Sequence, residues 1–410
     1  MAGTILVINA GSSSLKSSLF DLRGLQKKDP QLLWEGKIEW GDTGVSPRLI
    51  EVTDAKGGKH PLDMLSKDKE KCLESFFDTL TRGAAAAVES EDEIVVVAHR
   101  VVHGGETFMA PTLIDKQVKD KIQQLFPLAP LHNPANLEGI EIAEKRFQKA
   151  RQVAVFDTAF FSQLPSYIAT YPIPLHFKKE GIRRFGFHGI SHEYCLNRIC
   201  SLFPEHEKTK KITCHIGAGV SVTAVDGTEP VATSMGFTPI EGAMMGKRSG
   251  SIDPGILFYL MRHKKMTLEE IEELIQFKSG LIGIAGIADF RDILGRMETD
   301  EAASLAYRMF VHRLAKEIGG MVATLKGVDF IAFTGGIGEK SVKVREDILS
   351  HFAFLGFELD AQQSEAIGKD RLITTGSSKK AAAVIYCRED LQIASKALEP
   401  ALKLYKTTIS

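Results

Sequence analysis

An amide, a glycine, three serines and a lysine crowd into Asn9-Ala10-Gly11-Ser12-Ser13-Ser14-Leu15-Lys16, directly after the apolar run Ile5 to Ile8. The run reads as a buried strand, and the segment after it as a turn that returns through Leu19-Phe20. Such a turn offers backbone N–H groups, hydroxyls and one ammonium at a strand end, which is the chemistry of a grip on a phosphoryl group. The spacing is not that of a P-loop, so another architecture must carry the grip. A plain hairpin would show a Gly/Ser turn as well. The chain supplies an echo at Ile212-Thr213-Cys214-His215-Ile216-Gly217-Ala218-Gly219, where a strand again runs into a glycine-rich turn and returns over Ser221 to Val225. Asn9-x-Gly11 and His215-x-Gly217 hold matching places. They suggest a duplicated domain with a phosphate loop in each half facing a shared cleft, on an echo of only about a dozen residues.

Further chemistry sits at glycine-flanked cations. Arg100 ends an apolar strand in Ala98-His99-Arg100-Val101-Val102-His103-Gly104-Gly105-Glu106. An arginine there needs an anion, because an unpaired buried charge is very costly. Glu106 would serve in an internal ion pair. A substrate would serve in a clamp, the reading favoured by glycines that let a ligand approach the backbone. In Gly186-Phe187-His188-Gly189-Ile190-Ser191-His192, a histidine stands between glycines before a helix with Ser191 as its cap. The two histidines do not form an H-E-x-x-H pattern, so zinc is rejected. His192 reads as a capping or core histidine and His188 as a neutral or cationic hydrogen-bond donor to a phosphoryl oxygen. Thr233 to Pro239 and Gly246 to Gly255 form a glycine-rich loop centred on Arg248. Its companions Thr238-Pro239-Ile240-Glu241-Gly242 are too apolar for a solvated turn, so it reads as an active-site loop. It is no Walker A motif, since Arg248 stands where Ser or Thr is required. Phe330 to Glu339 is a buried strand that ends in Gly335, Gly336 and Gly338 and opens a helix. A tight turn needs one glycine; three would admit a nucleotide ring or ribose.

These residues need elements to hold them. Strand-like runs alternate with helical patterns, which predicts an α/β protein. Strands are expected at 4–9, 17–22, 32–39, 94–98, 152–156, 211–216, 219–226, 329–333 and 382–386. Helices are expected at 68–88, 115–125, 135–147, 190–202, 267–276, 300–325, 341–350 and 389–404. In 300–325 the period runs through Leu305, Met309, Val311, Leu314, Ile318 and Met321 or Val322. Ala84 to Ala87 reads as a helix surface packed closely on a neighbour. The expected domains are 1–156 with about 391–410, and 157–390.

The 410 residues suffice for two or three cores. Lys+Arg 51 against Asp+Glu 52, with no basic block, argues against nucleic acid and against an anionic membrane. The five scattered cysteines form no C-x-x-C pair and read as thiols of a reducing cytoplasm. The N-terminus lacks a signal-peptide pattern, and no apolar run is long enough to span a bilayer.

Taken together, Asn9 to Lys16, His99 to Gly105, Phe156-Asp157-Thr158-Ala159-Phe160, Gly186 to Gly189, Arg248-Ser249-Gly250 and Phe333 to Glu339 resemble the motifs of the acetate kinase family, in family order over nearly the whole chain. The resemblance implies two duplicated actin-like (ribonuclease H-like) α/β domains around a central cleft, in a homodimer. It implies the reaction ATP + acetate ⇌ ADP + acetyl phosphate, with Mg2+ or Mn2+. Carried over, Arg100 and Arg248 clamp acetate and the transferring phosphoryl, His188 donates to the transition state, and Asp157, matching the family's catalytic aspartate, has an orienting or metal-water role. Ser12, Ser14 and Lys16 serve the phosphates, Asn9 and Glu389 the metal, and His132 is a further active-site histidine. Nucleotide contacts fall on His215, Ile216, Gly217, Ala218, Gly219, on Asp289, Phe290, Arg291, and on Gly336, Ile337, Gly338, Glu339, Lys340. Val102, Leu131, Phe187 and Pro239 match a small acyl pocket, where valine at Val102 goes with acetate and a smaller residue with propionate. The chain departs from the family at Ala218, Lys340 and Arg388 (Asn there), at Lys247 (Thr) and at Ser251 (Asp), which bears on nucleotide preference and rate. The competing readings are a kinase for propionate, butyrate or a pyrophosphate donor, and an actin-like binding protein that has lost transfer.

Overall fold

The first apolar run becomes β1 (Thr4–Ala10), almost wholly buried. Both the helix Asn133–Arg146 and the C-terminal helix Glu389–Thr407 pack on it, and a strand covered in this way reads as a continuous apolar stretch. The computed structural model describes residues 3–11, 14–26, 30–40, 47–62, 68–366 and 368–407. Contacts divide the chain into two units, one of Met1–Ala159 with Arg388–Ser410, the other Phe160–Cys387.

In the first unit, β1 runs antiparallel to β2 (Ser14–Asp21), with Asn9 opposite Lys16. Antiparallel β3 (Leu32–Trp40), β4 (Pro47–Asp54) and β5 (Lys59–Pro61) extend that edge. On the other side, β6 (Ile94–Val101) lies parallel to β1. A short β7 (Thr112–Leu113) runs antiparallel to β8 (Arg151–Phe156), which is parallel to β6. The second unit holds β9 (Lys210–Ile216), antiparallel to β10 (Val220–Asp226), which pairs antiparallel with β11 (Glu229–Thr233). Parallel to β9 lies β12 (Phe330–Thr334). Beyond it, β13 (Arg371–Leu372) is antiparallel to β14 (Ala381–Val384), itself parallel to β12. The order β3-β2-β1-β6-β8-β7 thus recurs as β11-β10-β9-β12-β14-β13 with every strand sense kept. This repeat is far longer than the sequence echo and establishes the duplicated α/β architecture. Asn9 opposite Lys16 and His215 opposite Ser221 occupy the same place in the two hairpins.

Three local expectations need correction. The helix predicted over 68–88 is Lys69–Asp78, capped by the Asp68 side chain on Glu70 N at 3.0 Å. It stops because the Thr79 hydroxyl turns back to Phe76 O (2.7 Å) and Gly83 adopts φ +81°. Ala84 to Ala87 therefore lie in turns, tied back to Leu80 O by Ala87 and Val88, and not on a helix. The long helix Glu301–Leu325 buries Val311, Leu314, Ile318 and Met321, but Leu305 faces outward, because its first turns bury Ala303, Ala306 and Tyr307 instead. The short edge strands β7 and β13 carry too few residues for a period to show. The helix Pro254–His263 buries none of its residues, so no one-sided apolar stripe announces it.

Candidate active site

In the first unit, the ends of β1, β6 and β8 carry three polar side chains, and the C-terminal helix adds a fourth, Glu389. Ile8 pairs with His99, and Arg100 with Val155, so Asn9, Arg100 and Asp157 follow one another across neighbouring strand ends. Arg100 donates from Nε to Asp157 Oδ2 at 3.1 Å and from Nη1 to Asn9 Oδ1 at 3.2 Å; its Nη2 also bonds Asp157 Oδ2. An internal ion pair does form, with Asp157 in the place considered for Glu106 beside the favoured substrate clamp. The strand order explains why: β6 and β8 are neighbours, whereas Glu106 lies beyond the turn that leaves β6. The Arg100 side chain is 19% exposed and that of Asp157 only 2%. Burial opposes the guanidinium charge, yet Asp157 and Glu389 together outweigh it and hold the Arg100 pKa above its ordinary value. Glu389, in the first turn of the C-terminal helix, is pushed the other way. Burial raises its pKa, Arg100 and Lys16 lower it, and Asp157 raises it further. The Asn9 amide oxygen and the carboxylates of Asp157 and Glu389 are hard oxygen donors. They fit a magnesium ion, which takes one or two carboxylates and completes its shell with water and phosphate.

A clip of two buried asparagines fixes the chain after Arg100. Val102 N donates to Asn136 Oδ1 (3.0 Å) and His103 N to Asn133 Oδ1 (3.1 Å), while Asn136 Nδ2 donates to Ala10 O and Asn133 Nδ2 to His103 O. These side chains replace ladder partners that the strands lack at their ends. Val102 is buried, Leu131 is 37% exposed, and His132 stands at the N-cap position of the helix Asn133–Arg146 without a side-chain cap bond. Gly11 N closes the β1–β2 turn on Ser14 O at 2.8 Å, Lys16 is exposed, and Ser12 lies outside the described residues.

In the second unit, His188 precedes the helix Gly189–Leu202 with φ +57°, a conformation uncommon outside glycine. Its Nδ1 lies 2.9 Å from Ser221 Oγ, and its ring centroid 4.2 Å from that of His215. Ser191 Oγ is 2.7 Å from His215 Nδ1. A Cβ at Gly219 would fall 2.9 Å from His188 Cε1 and 3.7 Å from Arg248 Nη1, so glycine there lets both side chains approach one backbone turn. Arg248 is half-buried; Nη1 reaches Pro239 O at 3.4 Å and Met245 Sδ at 3.9 Å. Among the described residues it has no carboxylate partner, and burial pushes its pKa down. The floor is glycine. A Cβ at Gly217 would come within 3.9 Å of Gly336 N, and Gly335, at φ +78°, lies against the Ile216 backbone. Glu339 Oε1 accepts from Gly335 N and Cys387 N, both at 3.0 Å, which locks the short helix Gly335–Lys340.

The remaining expected residues spread more widely. Ala218, Gly336 and Lys340 are exposed, Ile337 is half-buried, and Gly338 is buried against Ile216. Asp289 caps the helix Phe290–Arg296 and pairs with Arg291 at 2.6 Å; the Phe290 side chain is committed to the core against Phe310 and Tyr307. Phe187 is buried and Pro239 half-buried. The Arg388 charge is met by Asp390 at 2.9 Å. Sequence reasoning missed Arg184, which donates to Thr233, Ser234 and Met235 carbonyls and pairs with Glu241, itself bonded to the Tyr171 hydroxyl. Gly236 must be glycine there, since a Cβ would overlap Glu241 Oε2 at 1.7 Å. An arginine beside Phe185-Gly186-Phe187 was the available signal. It missed Asn133 and Asn136 as well, because buried asparagines carry no periodic mark.

Among proteins of known kind, the family model described as the acetokinase family matches residues 4–395. The chain is 45% identical over 394 residues to the acetate kinase of Microcystis aeruginosa, covering 95% of this chain and 98% of that one. Among solved structures, Porphyromonas gingivalis acetate kinase superposes with a TM-score of 0.88 at 37% identity, over 97% of this chain and 100% of that one. A propionate kinase from Francisella tularensis gives 0.86 at 36% identity, over 96% and 98%. With a family model spanning nearly its whole length and relatives this similar from end to end, the chain belongs to the acetokinase family.

Proposed function

We propose that the protein transfers a phosphoryl group reversibly and directly between ATP and acetate, giving ADP and acetyl phosphate. One observation carries the reading: Arg248 is half-buried beside His188 at Gly219 and, among the described residues, has no carboxylate partner. A cation so placed is complementary to an anion that arrives from outside. Acetate is already ionised at neutral pH, so attack on phosphorus needs no general base. The obstacle is repulsion between two anions and the charge spread over the equatorial phosphoryl oxygens, which fixed cations and N–H donors relieve.

Arg248 and His188 bind the transferring phosphoryl, and Arg100 holds acetate. Asp157 and Asn9 orient the Arg100 guanidinium. Ser12, Ser14, Lys16 and the turns His215 to Gly219 and Gly336 to Lys340 serve the nucleotide phosphates, with Asp289 to Arg291 toward the base and ribose. Asn9 and Glu389 would hold magnesium, which would supply shielding of phosphate charge when bound. Val102, Leu131, His132, Phe187 and Pro239 shape the acyl side. The exposed Ile256, Phe258, Tyr259 and Met261 on the helix Pro254–His263 give the patch for a homodimer. A cytoplasmic setting is part of the same proposal, from the scattered placing of the five cysteines in the sequence. No helix of the described residues is long and apolar enough to cross a membrane.

Trapping acetyl phosphate as its hydroxamate tests this, with acetate, ATP and magnesium present and each omitted in turn. Product must require all three. Product with pyrophosphate in place of ATP, or with propionate in clear preference to acetate, would redirect the assignment, and no product at all would end it.

A further inference from the structure

The polar core behind His188 forms a chain with a definite direction. Thr213 Oγ1 lies 2.7 Å from His192 Nδ1, His192 Nε2 lies 2.7 Å from Ser221 Oγ, and Ser221 Oγ lies 2.9 Å from His188 Nδ1. Thr213, His192 and Ser221 are all fully buried. Each of these three side chains has the next as its hydrogen-bonding neighbour.

Two directions of donation are open in principle. In one, His192 Nδ1–H donates to Thr213. The Thr213 proton then has no acceptor along the chain, and a buried hydroxyl proton left unbonded is costly. In the other, Thr213 O–H donates to His192 Nδ1, His192 Nε2–H donates to Ser221 Oγ, and Ser221 O–H donates to His188 Nδ1. Every proton is then used. A doubly protonated His192 is excluded as well: burial, aided by His215, pulls its pKa well below the ordinary value.

We propose that Thr213, His192 and Ser221 act as a relay of positioning residues that fixes His188 in the tautomer with its proton on Nε2. That edge of the ring faces the glycine turn: a Cβ at Gly219 would stand 3.0 Å from Nε2. The relay therefore aims an N–H at the place where Arg248 also points, and it holds Nδ1 as an acceptor. The left-handed backbone of His188, unfavourable in a non-glycine residue, is the conformation in which the ring meets both Ser221 and Gly219. His192, which reads from sequence as a plain core histidine, thus sets the chemistry of its neighbour one helical turn away. A neutral donor of fixed orientation also suits a reaction that runs both ways, since no proton need be taken up or lost at this residue.

This inference rests on the reading of His188 as the phosphoryl donor, and the two are tested apart. In protein labelled with 15N-histidine, the His188 signals are assigned by their loss in His188→Gln. The relay requires Nε2 in the protonated range and Nδ1 in the acceptor range at neutral pH. A wild-type spectrum with the proton on Nδ1 overturns the relay outright, whatever the activity. Ser221→Ala should mix the tautomers and lower kcat roughly 10- to 100-fold, less than the roughly 100- to 1000-fold of a transition-state donor removed outright, because a fraction of His188 keeps its proton on Nε2. KM for acetate and ATP should stay within about threefold, as expected for an interaction made only in the transition state. Ser221→Thr, which keeps the hydroxyl, should restore both tautomer and kcat. Thr213→Val should shift the tautomer and lower kcat less. An unchanged tautomer in soluble Ser221→Ala would refute the relay. Full activity in His188→Gln with the wild-type tautomer intact would instead refute the donor role and leave the relay standing.

Discussion

Arg100 and Arg248 are both largely removed from water, yet the protein treats their charges in opposite ways. Arg100 is matched from within its own unit by Asp157 and Asn9, and Glu389 adds to the field that keeps it charged. Arg248 meets a carbonyl and a thioether, and burial weakens its hold on the proton. A matched guanidinium is rigid and its environment is complete before any ligand arrives. An unmatched one is held at a cost of desolvation that an incoming anion relieves. One arginine is therefore completed by its own strand ends, and the other is left complementary to an anion from outside.

Substituting each arginine breaks this contrast or confirms it. Arg248→Ala should lower kcat about a thousandfold or more, the range of a cation that neutralises a transferring phosphoryl. Its melting temperature should stay level or rise, since an uncompensated buried charge has been removed. Arg100→Ala should lose activity too, but it strands Asp157, and the cost in stability should be about 3–5 kcal/mol by urea unfolding. Replacing both partners, as Arg100→Met with Asp157→Leu, should return most of that stability and none of the activity. Equal melting temperatures for the two single alanine variants would dissolve the distinction.

How much of this could be read from the residues alone obeys the same divide. The strand ends were legible, because an apolar run that stops at Asn9, Arg100, His215 or Thr334 announces both its burial and its polar end. The glycine turns were legible because a missing Cβ is visible in sequence. Partners were not. Arg100 demanded an anion, but no local pattern named Asp157 as that anion; the strand order does, by setting β8 beside β6. Asn136, Arg184 and Ser221 act through contacts between residues 34, 50 and 33 positions apart in the chain, and no local pattern records such pairs. The end of the helix at Asp78 was hidden for the same reason, since Trp34 Nε1 and Phe76 O both engage the Thr79 hydroxyl there.

Acid sharpens the comparison from the side of the matched arginine. His99, one residue before Arg100, is 2% exposed and bonds Gln152 Oε1 through Nε2 at 2.7 Å. Burial, partly opposed by that bond, depresses its pKa from 6.5 to about 4. The folded protein then binds fewer protons at His99 than the unfolded chain does, so stability falls as pH drops from 6.5 toward 4 and levels off below. The shift corresponds to about 3 kcal/mol. Denaturant unfolding across that range should show the loss, and His99→Gln, which stays neutral, should remove about that much of it. A slope unchanged by the substitution would place the acid sensitivity elsewhere, with His103 (pKa about 4) and His192 the next groups to test.

The smallest expected effect concerns Val102, the residue proposed to shape the acyl side beside Arg100. Val102 is 5% exposed, and its amide is held by Asn136, so the backbone there has little freedom to accommodate a change in side-chain size. Val102→Ala should therefore leave space instead of collapsing. One methylene in an apolar pocket is worth about 1–3 kcal/mol, and part of that is lost to imperfect fit. The ratio of kcat/KM for propionate over acetate should accordingly rise roughly fivefold, about 1 kcal/mol, with ATP binding unaltered. Because Asn136 clips Val102 and also reaches Ala10 O, a change at Val102 that altered ATP binding instead of acyl preference would mean that the residue acts through the β1 turn and not through a pocket.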